Sequence, residues 1–278
     1  MLKTTLVWVI ISLCAIPAWS AFDNCGSSAK TLSLGNASTA LTDEPSVILT
    51  NPGGLGFLRQ KGFQTSLSRL FDVDELSERE IYLAFPLRRF SLGAGFYQFG
   101  KKAYYEESVF CLALAYEIGD HFSLGTSLKH MRASFSSEYD GLSAASIDAG
   151  SDYRVNDRFQ VGLAAHNLNR PHLVKGSDDI PANFCLGIAV FPFSEATLSF
   201  DLTYDERYRE QLHVGQEIML VKNLPLRFGL QTSPARYALG IGLDVDKFTM
   251  DYAYLSHSVL GNTHKLSLSY WWGKKASE

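Results

Sequence analysis

From about Lys61 onward, large apolar residues recur at every second position, with small or polar residues between them, in segments of roughly ten residues. Leu239, Ile241, Leu243 and Val245 make one face of such a segment, and Ala238, Gly240, Gly242 and Asp244 make the other. Near the end of the chain Leu266, Leu268, Tyr270 and Trp272 stand against Lys265, Ser267 and Ser269. A period of two with unlike faces predicts strands. EIYLAFPL, FSLGAGFYQF, VFCLALAYEI, FSLGTSLKH, FQVGLAAHNL, FCLGIAVFPF, ATLSFDLTY, LRFGLQT, RYALGIGLDV, FTMDYAYL and HKLSLSYWW all read this way. With further segments at Gly62 to Leu70, Ser143 to Val155 and Gln211 to Val221, the pattern predicts about fourteen strands.

The connections sort by length. Tight turns fall at Arg88-Arg89, Gly119-Asp120, Asn156-Asp157, Ser194-Glu195, Lys222-Asn223 and Asp246-Lys247. Between them come the longer FDVDELSE, FGKKAYYEES, SSEYDGLS, NRPHLVKGSDDIP, DERYRE and SVLGNTH, with TSPAR the compact exception. A soluble exported sandwich shows the same alternation, but its loops have no reason to sort in this way. A transmembrane barrel does: its periplasmic turns are short, its outer loops longer, and its apolar outer band is flanked by aromatics. Tyr82, Phe90, Phe96, Tyr104, Tyr116, Phe122, Tyr204, Tyr208, Phe228, Tyr237, Phe248 and Tyr254 lie near strand ends and are expected in those girdles. Closure also pairs every backbone donor and acceptor in lipid. The expected fold is therefore all-β, a transmembrane antiparallel barrel of about fourteen strands over 61–273, with both termini and the tail 274–278 in the periplasm.

The first twenty residues, MLKTTLVWVIISLCAIPAWS, read as a secretory signal peptide cleaved between Ser20 and Ala21. The apolar run from Leu6 to Ile16 is too short to span a bilayer and ends at Pro17. Leu13 before Cys14 and Asn24 before Cys25 lack the small residue a lipoprotein signal wants. No later run of about 18 apolar residues predicts a membrane helix. With 46% hydrophobic and 13% aromatic residues the chain can bury a sizeable surface, and a net charge of -4 offers no field for nucleic acid. Near the start, TNPGGLGF (Thr50 to Phe57) sets a proline beside two glycines, a backbone built to turn, with Asn51 placed to cap that turn.

Alternation also places charge. Glu117, Asp148, Asp152, Arg154, Asp201, Glu217, Arg227, Asp244, Asp251 and Lys265 are expected to face the lumen, because a charge on the lipid face costs about 2 to 4 kcal/mol at mid-bilayer for Arg or Lys. They either solvate and cross-link a filled lumen or line an ion path. Glycines 93, 95, 162, 187, 215, 229, 240 and 242 share that inner face and leave room beside it. Cys111 and Cys185 point inward, free or paired to Cys25. No HExxH, GxSxG, phosphate loop or paired-cysteine spacing is present. His166 with Asn167, and His257 with His264, read as surface or lumen histidines rather than metal ligands. Alternation scatters Ser256, His257, Ser258 and Asp251 over both faces. No cofactor and no enzymatic activity are expected.

GNASTALTDEPSVILTNPGGLGFL (Gly35 to Leu58) resembles the N-terminal signature of the PorV/PorQ family and the related FadL-type barrels. AAHNLNRP followed by IPANFCLGIAVFP, and the C-terminal hairpins with Asp251 to Tyr254 and Leu260 to His264, extend the resemblance over most of the chain. It implies an outer-membrane barrel whose residues 21–60 fold inward as a plug, with Asn51, Pro52, Gly53 and Gly54 reversing the chain inside the lumen toward a first strand near Lys61. It further implies an accessory or scaffold role in secretion or surface assembly of the type IX kind, with secretion or surface proteins and outer-membrane lipid as partners. The alternative is FadL-like passive transport of small hydrophobic molecules; the short outer loops weigh against uptake of long-chain fatty acids.

Overall fold

The computed structural model describes Phe22 and residues 28–101, 104–135, 141–173, 179–206 and 210–273. The expected signal segment, Cys25, Tyr208 and the tail 274–278 lie outside these residues. Fourteen antiparallel strands close into one barrel. They are β1 (Lys61–Arg69), β2 (Ser77–Leu87), β3 (Phe90–Lys101), β4 (Tyr105–Ile118), β5 (Phe122–Phe135), β6 (Leu142–Asn156) and β7 (Phe159–His166). The second half comprises β8 (Asn183–Phe193), β9 (Ala196–Asp205), β10 (Gln211–Val221), β11 (Leu224–Gln231), β12 (Arg236–Val245), β13 (Phe248–Leu255) and β14 (Thr263–Trp272). Each strand pairs with its sequence neighbours, and β1 pairs with β14 from Lys61 opposite Trp272 to Arg69 opposite His264. No sheet edge is left open, which excludes the sandwich.

Side chains alternate as the period requires. Leu239, Ile241 and Leu243 on β12 are exposed outward while Ala238 and Gly242 are buried. The outward apolar surface continues around the barrel through residues such as Leu67, Phe96, Leu112, Leu128, Leu163, Leu202 and Leu266. Such a surface suits lipid and would be untenable in water.

Two expectations need correction. FGKKAYYEES is mostly strand: β3 and β4 remain paired up to Lys101 opposite Tyr105. In the same way β6 already begins at Leu142, within SSEYDGLS. Ladder hydrogen bonds persist where lipid gives way to water, so polar composition marks the end of the apolar band rather than the end of the strand. Tyr82 is no girdle residue: it points inward and is fully buried. An aromatic is compatible with either face, and on β2 it shares the parity of Glu80 and Ala84.

Residues 28–58 lie within the closed barrel. Helix α1 (Ala29–Ser33) packs against β11 to β14, and the 3-10 stretch Pro52–Phe57 packs against β2 to β7 on the opposite side. Helix α2 (Val47–Thr50) lies between them in the sequence. Glycines on the inner face let this backbone come close: a Cβ on Gly229 would stand 2.1 Å from the Gly35 nitrogen, and one on Gly125 would stand 2.2 Å from the Pro52 oxygen.

Candidate functional site

The lumen holds an apolar column set among buried charges. On the inner face of β2 to β5 it gathers Tyr82, Ala84, Tyr97, Val109, Cys111, Ala113, Ala115, Met131 and Ala133, bordered on the same strands by Glu78, Glu80, Glu117 and Lys129. Val47, Ile48, Leu49 and Leu55 of the inner segment fill its middle. At the loop end the column meets Phe22 together with Leu173 and Ile180, which lie on either side of 174–178 in the connection from β7 to β8. In that connection the Ile180 amide donates to the Pro171 oxygen at 2.9 Å and Asn167 Nδ2 donates to the Pro181 oxygen at 3.2 Å. Barrel interiors are ordinarily polar, so this column needs an occupant or a function.

Buried charges line the rest of the lumen and border this column. Asp201 is buried, and its Oδ2 accepts from the Ser38 amide at 2.8 Å and the Thr39 amide at 2.8 Å. Arg227 donates to Glu217 at 2.5 Å and to Asp251 at 2.6 Å. Lys30 of the inner segment pairs with Asp43 and approaches Glu217 at 3.7 Å. Burial works against the Lys30 ammonium, but the charges of Asp43 and Glu217 outweigh it and hold its pKa above the ordinary lysine range. Lys265, only 2% exposed, donates to Glu80 at 2.5 Å and to Glu78 at 3.2 Å. Asp148, fully buried, is met by Lys129 at 2.9 Å, by His166 at 3.1 Å and by the Asn167 amide at 2.9 Å. Asp152 accepts from Gln160 at 2.6 Å, and Asp244 accepts from the Thr249 hydroxyl at 2.8 Å. Near the turn end, Glu117 takes a two-pronged bond from Arg59 at 2.8 and 2.5 Å, while the Arg154 guanidinium lies 4.0 Å from the centre of the Phe57 ring.

At the TNPGGLGF stretch, Asn51 Oδ1 accepts from the Gly53 amide at 3.0 Å, and Nδ2 donates to the Thr39 oxygen at 2.8 Å and the Ser151 oxygen at 3.1 Å. One side chain thus caps the stretch and ties it to both the inner segment and β6. The glycines serve differently from the expectation of freed backbone angles. Neither Gly53 nor Gly54 has a positive φ; a Cβ on Gly53 would strike the Ser151 Cα at 2.6 Å, and one on Gly54 the Val47 side chain at 2.6 Å. They supply room, and the segment runs on as a 3-10 stretch to Phe57 rather than reversing at a point.

Sequence reasoning missed Glu78, Glu80, Lys129, Gln64 and Glu44. Glu44 gathers Ser28 at 2.5 Å, Thr31 at 3.0 Å and Gln64 at 2.8 Å. Strand parity could have found Glu80, two residues before Tyr82, whereas Glu44 sits on no periodic element. Cys111 and Cys185 are free thiols. Asp251 bonds Arg227 while His257 stacks edge-on against Phe71, so these two do not meet.

A closed fourteen-stranded antiparallel barrel is a fold with known counterparts. The chain is similar to the Ralstonia pickettii toluene transporter TbuX at a TM-score of 0.71 and 12% identity, over 91% of this chain and 100% of that one. It is similar to the Pseudomonas putida toluene transporter TodX at 0.68 and 12%, over 91% and 99%. A Pseudomonas aeruginosa FadL homologue matches at 0.68 and 13%, over 89% and 98%. At these identities the likeness establishes the fold. No family model and no curated protein matches the sequence.

Proposed function

We propose that the protein is a bacterial outer-membrane channel for passive passage of small hydrophobic molecules, and that it is not an enzyme. The observation that carries this reading is the apolar column inside β2 to β5, which gathers Leu55 and Leu58 of the inner segment and meets Leu173 and Ile180. The solved barrels of the same fold include two named as toluene transporters. In this reading residues 1–20 are the cleaved signal, residues 21–60 form a hatch across the lumen, 61–273 the barrel and 274–278 a periplasmic tail. The buried charges anchor the hatch, and the apolar column is the path. The hatch fills the middle of that path, so passage requires it to shift. A role as a scaffold in type IX-like secretion, implied by the PorV/PorQ resemblance, has no comparable feature behind it.

The test is liposome flux. Full-length protein reconstituted in vesicles should speed equilibration of a monoaromatic hydrocarbon, and Met131→Trp, which fills the column, should slow it while heat-modifiable migration is retained. Equal flux in protein-free vesicles would overturn the reading.

A further inference from the structure

Outside the barrel, the wall formed by β3 to β6 has a hollow. Ala94 and Thr126 stand among Leu92, Leu112, Leu114, Leu128 and Ile147 and leave an apolar depression of about 540 Å³. Register sets these residues side by side: Ala94 faces Leu112, Leu112 faces Leu128, and Leu128 faces Ile147. Continuing along the outward face of β5 toward the loops, the next two residues are His130 and Arg132, both exposed. At about 3.4 Å per residue they follow Leu128 at roughly 7 and 14 Å.

These two side chains stand on one outward row of β5. His130 stands between Phe110 and Ala145, and Arg132 between Ser108 and Ser143. Neither forms an ion pair among the described residues. Glu106, one row nearer the loops, accepts from Gln98. Their height also fits a headgroup. Phe122, against Tyr153, marks the turn-side aromatic level on the same strand. Ten residues further, at a tilt of about 40°, the strand has climbed roughly 26 Å, close to the ~25 Å height of an apolar band. Arg132 therefore stands at the loop-side boundary, where a charge is far cheaper to hold than at mid-bilayer, and His130 just inside it.

We propose that the depression at Ala94 and Thr126, together with His130 and Arg132, binds a phosphate-bearing lipid of the loop-side leaflet. One acyl chain fills the hollow, and the phosphate meets the imidazole and the forked donors of the guanidinium. A molecule of the kind proposed to cross the lumen is uncharged and gives the guanidinium nothing to bind, so the site is separate from the path.

The test uses full-length protein in neutral detergent with added dioleoyl phosphatidylglycerol, and native mass spectrometry to follow the retained lipid. Wild type should hold a lipid adduct. Arg132→Gln should weaken it about fivefold, the contribution of one cation near a membrane surface. Arg132→Lys should recover part of the loss. Ala94→Leu should weaken retention with the charges intact by filling the hollow, and all variants should keep heat-modifiable migration. Inorganic phosphate at matched concentration should not displace the lipid; displacement would overturn the lipid assignment. Retention unchanged in both Arg132→Gln and Ala94→Leu would overturn the site, as would loss of a copurifying polypeptide in place of lipid.

Discussion

A single carboxylate oxygen of Asp201 on β9 receives both the backbone amide of Thr39 at 2.8 Å and its hydroxyl at 2.7 Å, across 162 positions of sequence. With the Ser38 amide bound to the same oxygen, the wall grips the inner segment at one buried point. Removing the acceptor strands three donors. Asp201→Ala should destabilise the seated segment by about 2 kcal/mol or more, raising its open fraction roughly 30-fold. Limited trypsin digestion followed by mass spectrometry reads this as faster cleavage after Lys30. Asp201→Asn keeps an accepting oxygen and should change the rate far less; equal rates for both variants would argue against the grip.

Asn51 makes a second, chemically distinct test. Its Oδ1 caps the Gly53 amide while Nδ2 serves the Thr39 and Ser151 oxygens. Asn51→Ala loses all three bonds at a fully buried position, at a cost of about 1 to 3 kcal/mol. Asn51→Asp keeps the cap but turns a carboxylate toward two carbonyl oxygens, so it should destabilise more than alanine does. Chemical denaturation of the refolded barrel, read at the Trp271 and Trp272 fluorescence, gives the ranking. Aspartate milder than alanine would mean that capping, and not the two donated bonds, carries the role.

Gly229 separates the fit of the inner segment from closure of the barrel. An added Cβ would meet backbone atoms of Gly35 and Leu34, at 2.1 and 2.4 Å, and backbone cannot rotate away. The β11 ladder itself tolerates alanine. Gly229→Ala should therefore leave heat-modifiable migration intact yet expose Lys30 to trypsin, whereas loss of both together would show that the segment and the wall fold as one unit.

The wall was legible because lipid outside and a filled lumen inside impose opposite demands on alternate residues. Leu239, Ile241 and Leu243 could only face outward, and Asp201, Arg227 and Asp251 only inward. Where that demand relaxes, legibility ends. Tyr82 satisfies either face, and Gly100 opposite Glu106 continues a ladder beyond the apolar band, where composition carries no signal of strand. The grip of Asp201 on Thr39, and of Glu44 on Gln64, joins an aperiodic segment to a strand; nothing in spacing along the chain encodes which carboxylate meets which amide. The same holds for the apolar column. Its residues are ordinary inward positions until closure brings β2 to β5 against Ile48, Leu55 and Ile180.

The 167–182 connection offers a test of the path at its mouth. Ile180 is 4% exposed and packs with Leu173 onto the column, while Asn167 Nδ2 donates to the Pro181 oxygen and the Pro171 oxygen accepts from the Ile180 amide. Truncating Ile180 and Leu173 to alanine removes apolar contact without touching the strands, at a cost of about 2 to 5 kcal/mol per fully buried site and less for the half-buried Leu173. That energy acts on the closed position of the connection and not on the barrel, whose ladder is complete without it. If molecules pass this mouth, the double variant should speed hydrocarbon equilibration in vesicles. Adding Met131→Trp deeper in the column should abolish the gain, since a blocked path makes an open mouth irrelevant. A gain that survives Met131→Trp would place the route outside the column and overturn the path proposed here.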